Sequence, residues 1–141
     1  MKATITLKPK ANQPAAVNPE SPKPLISLEQ QRAAYAWQCV QGCNREYTGL
    51  AKAAPALIMT NGLMQTLAYY QGKGKDHHLV LSKHLCEWLK KRFPTSFASS
   101  DYPAIMQSLF ATSDSQLYRQ VTEESLALLR WIRQFAAAVS E

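Results

Sequence analysis

An all-α single bundle of about five to six mostly antiparallel helices is the fold this sequence predicts, and three observations carry it. Apolar residues return at steps of three and four through most of the chain, as on one face of a helix. Period-two alternation, the mark of half-buried strands, does not accompany the apolar runs. The stretches between periodic segments are short, so neighbouring helices fold back on one another. At 141 residues, 46% of them hydrophobic, the chain is the size of one domain and can bury a sizeable core.

Residues 1–26 stand apart. Five of the eight prolines lie before Leu25, and Lys2, Lys8, Lys10 and Lys23 outnumber Glu20 there. Such a composition cannot offset its ordering entropy by burial. It reads as a flexible basic leader, with the bundle over residues 27–141.

Ser27 and Gln30 form a capping-box signature, and Leu28, Tyr35, Cys39 and Cys43 continue at helical spacing to about Gly42. A short helix is expected from Arg45 to Ala53, with Pro55 in the first turn of the next. Asn61-Gly62 is a hairpin signal, but Ala56, Met59, Leu63, Leu67 and Tyr70 keep helical steps through it. Helix is favoured. A mid-helix glycine costs about 1 kcal/mol relative to alanine, so Gly62 calls for a close neighbour, either another helix or a phosphate backbone. Gly72 and Gly74 end this helix.

Asp76 is the expected cap of a further helix, with Leu81, Leu85, Trp88 and Leu89 buried and Lys83, Glu87, Lys90 and Lys91 on the wet side. Phe93-Pro94 stops it. Ser99, Ser100 and Asp101 before Tyr102-Pro103 mark the next start, with Ile105, Met106, Leu109 and Phe110 as its apolar face. Ser113 or Ser115 opens the last helix, carried by Leu117, Val121, Leu128, Leu129, Ile132, Phe135 and Val139.

The formal charge of +6 draws the protein to polyanions or acidic partner surfaces. No apolar run is long enough to cross a bilayer, and the N-terminus lacks the apolar block of a secretory signal, so a cytoplasmic protein with no membrane partner is expected. Three cysteines, an odd set without framework spacing, read as reduced core residues. Cys39, Cys43, His84 and Cys86 do not have the spacing of a zinc finger, so no metal is expected. His77-His78 lacks the positioned partner that acid-base catalysis needs, and no phosphate-cradling loop or metalloprotease motif is present. Neither a catalytic residue nor a cofactor is expected.

The basic residues cluster. Lys73, Lys75, Lys83, Lys90, Lys91 and Arg92 face only Asp76 and Glu87, whereas Asp101, Asp114, Glu123 and Glu124 face only Arg119. One pole can follow phosphates and the other can meet a basic neighbour.

Tyr47, Ala51, Pro55, Ile58, Thr60-Asn61-Gly62-Leu63, Gln65-Thr66-Leu67-Ala68-Tyr69 and Lys73 together resemble the small-subunit family of type III-B CRISPR (Cmr) effector complexes. Likeness extends upstream through Arg32–Val40 and downstream through Leu85–Leu89, and leaves out the leader. The resemblance implies a non-catalytic helical subunit stacked in a filament, in antiviral defence. Its implied partners are guide RNA and target RNA, RAMP-type backbone subunits and neighbouring copies of itself, with RNA cleavage left to the backbone subunit. Under that reading Arg45, Lys52, Lys73, Lys75, Lys83, Lys90 and Arg92 are the expected RNA-binding residues. A small subunit of the related type III-A complexes and a protein-interaction bundle without RNA contact are the alternatives.

Overall fold

The computed structural model describes residues 26–140. The chain divides into two units, residues 1–30 and 31–141, and the packing described here is that of the second. Among the described residues six helices follow in order: α1 (Leu28–Cys39), α2 (Arg45–Asn61), α3 (Leu63–Lys73), α4 (Asp76–Arg92), α5 (Tyr102–Ala111) and α6 (Ser115–Val139). Among the described residues there is no strand, as the periodicity predicts. The leader before Ile26 lies outside the described residues.

Both halves of the capping box form: Gln30 N–H donates to Ser27 Oγ at 3.1 Å and Ser27 N–H to Gln30 Oε1 at 2.7 Å. α1 stops at Cys39, three residues before the expected Gly42, which instead turns the chain with φ 73°.

The expected break at Ala53–Pro55 is absent, and α2 runs unbroken from Arg45 to Asn61 with Pro55 inside it. Proline removes the N–H that would reach the Ala51 carbonyl. The buried face of Tyr47, Ala51, Ala54 and Ile58 holds the helix through that loss. α2 makes its most extensive packing with α6, and Ala51 and Ala54, both fully buried, let the two backbones approach.

The break falls at Gly62, a joint rather than a mid-helix residue, with φ 90° and ψ 159°. That backbone conformation is essentially restricted to glycine. Gly62 N–H donates to Ile58 O at 2.7 Å, closing α2, while Gly62 O accepts from Thr66 N–H at 3.1 Å and from Thr66 Oγ1 at 2.9 Å, opening α3. Close approach is not the reason for the glycine, because a Cβ there would stand 3.8 Å from the Tyr118 hydroxyl, an ordinary contact. The joint also interrupts the expected stripe: Leu63, Leu67 and Tyr70 are fully buried, but Met59 is 76% exposed. Gly62→Ala is expected to cost about 1–3 kcal/mol in denaturant unfolding. Gly49→Ala, on regular helical backbone facing open space, should instead stabilise by up to about 1 kcal/mol.

α4 buries Leu81, Leu85, Trp88 and Leu89 as its spacing predicts. Its N-cap position is Lys75, so Asp76 is the first helical residue and favours the helix dipole without capping. α6 is capped by Asp114, not by either neighbouring serine, through bonds from Gln116 N–H at 3.0 Å and Leu117 N–H at 3.2 Å. In α5, Ile105, Met106 and Leu109 are buried, but Phe110 is 66% exposed. α5 packs chiefly on α4, so only one narrow face is covered. The core lies where α2, α3 and α4 meet one another and α6, around Ile58, Leu67, Leu81, Leu85, Leu128, Leu129 and Ile132.

Candidate nucleic-acid interface

Between Glu46 and Asp76 the chain contains no carboxylate, and its only charged residues there are Lys52, Lys73 and Lys75. Most of α2 and all of α3 therefore present neutral or cationic side chains. Arg45 is the first residue of α2, and Lys52, seven positions on, returns to the same exposed face. Lys73 ends α3, Gly74 turns the chain with φ 67°, and Lys75 precedes α4, so two exposed ammonium groups flank the single residue Gly74. Both lysines act on His78, whose pKa is lowered by burial first and then by His77, Lys73 and Lys75. A cavity of about 290 Å³ connects the starts of α2 and α4, lined in part by Asn44, Asp76 and His77. Arg45 and Lys75 thus stand beside residues that share one opening.

The remaining expected contacts sit differently. Lys83 is exposed, but it borders a cavity with Glu87 and Asp101, which offset its charge. Lys90 is committed within the chain, its ammonium donating to Pro94 O at 3.1 Å and Phe97 O at 2.8 Å. Arg92 lies 3.4 Å from Glu124 Oε1, with its guanidinium over the Phe93 ring at 5.4 Å.

Glu124 corrects the expectation of an acidic pole built from four exposed carboxylates. It is 4% exposed and takes a bidentate pair from Arg32, Nε to Oε2 and Nη2 to Oε1, each at 2.7 Å. Trp88 Nε1 adds a bond to Oε2 at 2.9 Å. Burial alone would raise this carboxyl's pKa, but the donors from Arg32 and Trp88 and the nearby Arg92 outweigh it, and the pKa is lowered. Glu124 is an internal tie between α1, α4 and α6. Asp101, Asp114 and Glu123 remain at the surface, Asp114 as a cap.

The histidines and cysteines are held in packing. His78 is buried against Tyr69 and Tyr70, with ring centroids at 6.1 and 5.6 Å. His84 Nδ1 bonds the Tyr47 hydroxyl at 2.8 Å, and its backbone carbonyl accepts from the Tyr35 hydroxyl at 2.8 Å. Burial, then the Lys83 charge, lowers its pKa to about 4, so the ring is neutral at physiological pH. Burial pushes the Cys39 thiol up to about 12 and the Cys86 thiol up to about 11, so neither supplies a thiolate. Among the described residues no group of three or more His, Cys, Asp or Glu side chains is placed to hold a metal ion. No helix among them is long and apolar enough to cross a membrane.

Two exposed cations fall outside the basic run on which the sequence reading concentrated. Arg130 and Arg133 lie on α6, in a stretch from Ser125 to Ser140 that contains no carboxylate. Their spacing of three with no acid between was the signal available.

Over the described residues these features define an all-helical bundle with a carboxylate-free cationic region. Comparison with known proteins gives that class a family. Residues 28–139 match the model of the CRISPR-associated protein (Cas_Cmr5) family, and the chain belongs to it. It is similar to the CRISPR system Cmr subunit Cmr5 of Thermus thermophilus, with 30% identity over 98 residues, covering 68% of this chain and 76% of that protein. The chain is thus a small subunit of the Cmr type, the family its sequence resembles. Of the residues that carry the resemblance, Tyr47, Ala51, Ile58, Leu63 and Leu67 are buried, and Gly62 makes the helix joint. Asn61, Gln65, Thr66 and Tyr69, with Leu57, line an opening of about 350 Å³.

Proposed function

We propose that this subunit holds guide RNA and its target by their sugar-phosphate backbones while stacked along a Cmr filament, and that it breaks no bond itself. Its partners in that reading are the two RNAs, RAMP-type backbone subunits and neighbouring copies, in the cytoplasm. The observation that supports it most is the absence of any carboxylate from Tyr47 to Lys75, with Lys52, Lys73 and Lys75 exposed across that region. Arg45 and Lys83 extend the cationic surface. Lys90 and Arg92 contribute at its edge, because each already serves contacts inside the chain. Backbone contacts of this kind are insensitive to sequence and weaken steeply with salt. Base pairing with the guide supplies the specificity. The burial of His78 speaks against the His77-His78 pair as an acid-base centre.

Replacing Lys52, Lys73 and Lys75 together by Glu is expected to weaken binding to a guide-target duplex about tenfold or more at low salt. The helical circular dichroism should stay unchanged, and the dependence of affinity on salt should become shallower. Isotherms that overlie those of the unaltered protein would remove these lysines from the interface. Labelled RNA incubated with the chain and a divalent cation should remain whole.

A further inference from the structure

Lysines meet phosphates, and phosphates are the same on RNA and DNA, so charge alone does not select between the two polymers. Selection needs neutral groups that meet the sugar. One row of side chains in the carboxylate-free region supplies them. Asn61, Gln65 and Tyr69 line a single opening of about 350 Å³, together with Leu57 and Thr66. Gln65, Tyr69 and Lys73 follow one another along α3 at steps of four, each about 40° around the helix and about 6 Å further along it, so the three share one face. Asn61, the last residue of α2, reaches the same opening across the Gly62 joint. All four are exposed.

The row therefore reads amide, amide, phenol, ammonium. Thr66 does not join it, because that hydroxyl is buried and donates to Gly62 O at 2.9 Å. One side of the Tyr69 ring is fixed by the buried His78, at 6.1 Å between centroids and 81° between planes, while half of the residue stays open. An apolar partner would bury two amides with nothing to bond, which costs free energy. A ribose-phosphate strand suits the whole order. Its phosphate meets Lys73, and its 2′-hydroxyl, which both donates and accepts, meets amides that do the same.

We infer that the Asn61–Gln65–Tyr69 row, ending in Lys73, reads the ribose 2′-hydroxyl of the bound backbone and so makes this subunit selective for RNA over DNA. This inference rests on the RNA-binding reading above and names the group that reading left unrecognised. The lysines supply attraction, and the row supplies the choice of sugar.

The test compares binding of the full chain to an RNA guide-target duplex and to the same duplex with fluorine at every ribose 2′ position, read by anisotropy. Fluorine keeps the phosphates and the A-form and removes the hydroxyl. Native RNA should bind about fivefold or more tighter, the factor for one net hydrogen bond. Asn61→Ala with Gln65→Ala should remove most of that preference with the circular dichroism unchanged. Tyr69→Phe, which keeps the ring against His78, should reduce it in part. Lys73→Ala should weaken both duplexes and preserve their ratio. Equal binding of the two duplexes, the result if the row serves a protein partner or is covered by other polypeptide, overturns the assignment. So does an undiminished preference in the double variant. If both duplexes bind alike, the backbone reading stands without the row. If neither binds, both readings fall together.

Discussion

Glu124→Ala is expected to lower the unfolding free energy by about 3–5 kcal/mol, the range for removing one partner of a buried ion pair. The carboxylate accepts from Arg32 twice and from Trp88 once, and Arg92 stands 3.4 Å away. Without it, the Trp88 indole N–H loses its acceptor inside the fold, Arg32 loses two bonds, and two guanidinium groups face each other. The loss arises from those orphaned groups more than from the attraction itself. The double variant Arg32→Met with Glu124→Leu should therefore be less destabilised than Glu124→Ala alone, since it removes donor and acceptor together. Urea unfolding followed by circular dichroism measures both. A Glu124→Ala protein within 1 kcal/mol of the parent would show that the network is not a structural tie.

Acidification is the second large effect. His84 has a folded pKa of about 4 because burial and the Lys83 charge disfavour its cation, whereas an unfolded histidine titrates near 6.5. Between these values the unfolded chain takes up a proton that the folded chain refuses. Stability from this group is thus complete above about pH 6.5 and is lost as pH falls toward 4, by roughly 3 kcal/mol at about 1.4 kcal/mol per unit. His78, also lowered by burial, acts in the same direction. Glu124 extends the loss at lower pH, because its folded pKa is depressed and its contribution disappears as pH falls through that value. Thermal melts across this range should show a falling midpoint, and His84→Gln should flatten the upper part of the profile. A profile for His84→Gln parallel to the parent's would place the acid sensitivity elsewhere.

The helices were legible wherever one local pattern had no competitor. Ser27 with Gln30 and the stripe of Leu81, Leu85, Trp88 and Leu89 are cases where propensity and burial agree. Pro55 and Gly62 exchanged roles because the sequence gives each residue's local preference but not the tertiary face that overrides it. Packing of α2 on α6 carries the helix through the proline, and nothing carries it through a backbone at φ 90°. Phe110 looked like core because spacing marks a face without telling whether an element exists to cover it. Charge counting along the chain picked out Lys73 and Lys75, and the family resemblance added Lys52; all three are exposed. Charge counting misjudged Glu124, whose partner Arg32 is 92 residues away, and could not show that Lys90 is occupied by two carbonyls. Linear distance also hid the meeting of Trp37 with Phe135.

The Arg32–Glu124 tie sets an order on how the molecule is made. Arg32 belongs to the first of the described helices and Glu124 to the last of them, so this ion pair closes only after the 91 residues between them have been made. Closing so long a loop is slow relative to local helix formation. A nascent chain that has not reached α6 can fasten α1 to α4 through the Tyr35 hydroxyl on the His84 carbonyl, and Glu124 then adds the tie to α6.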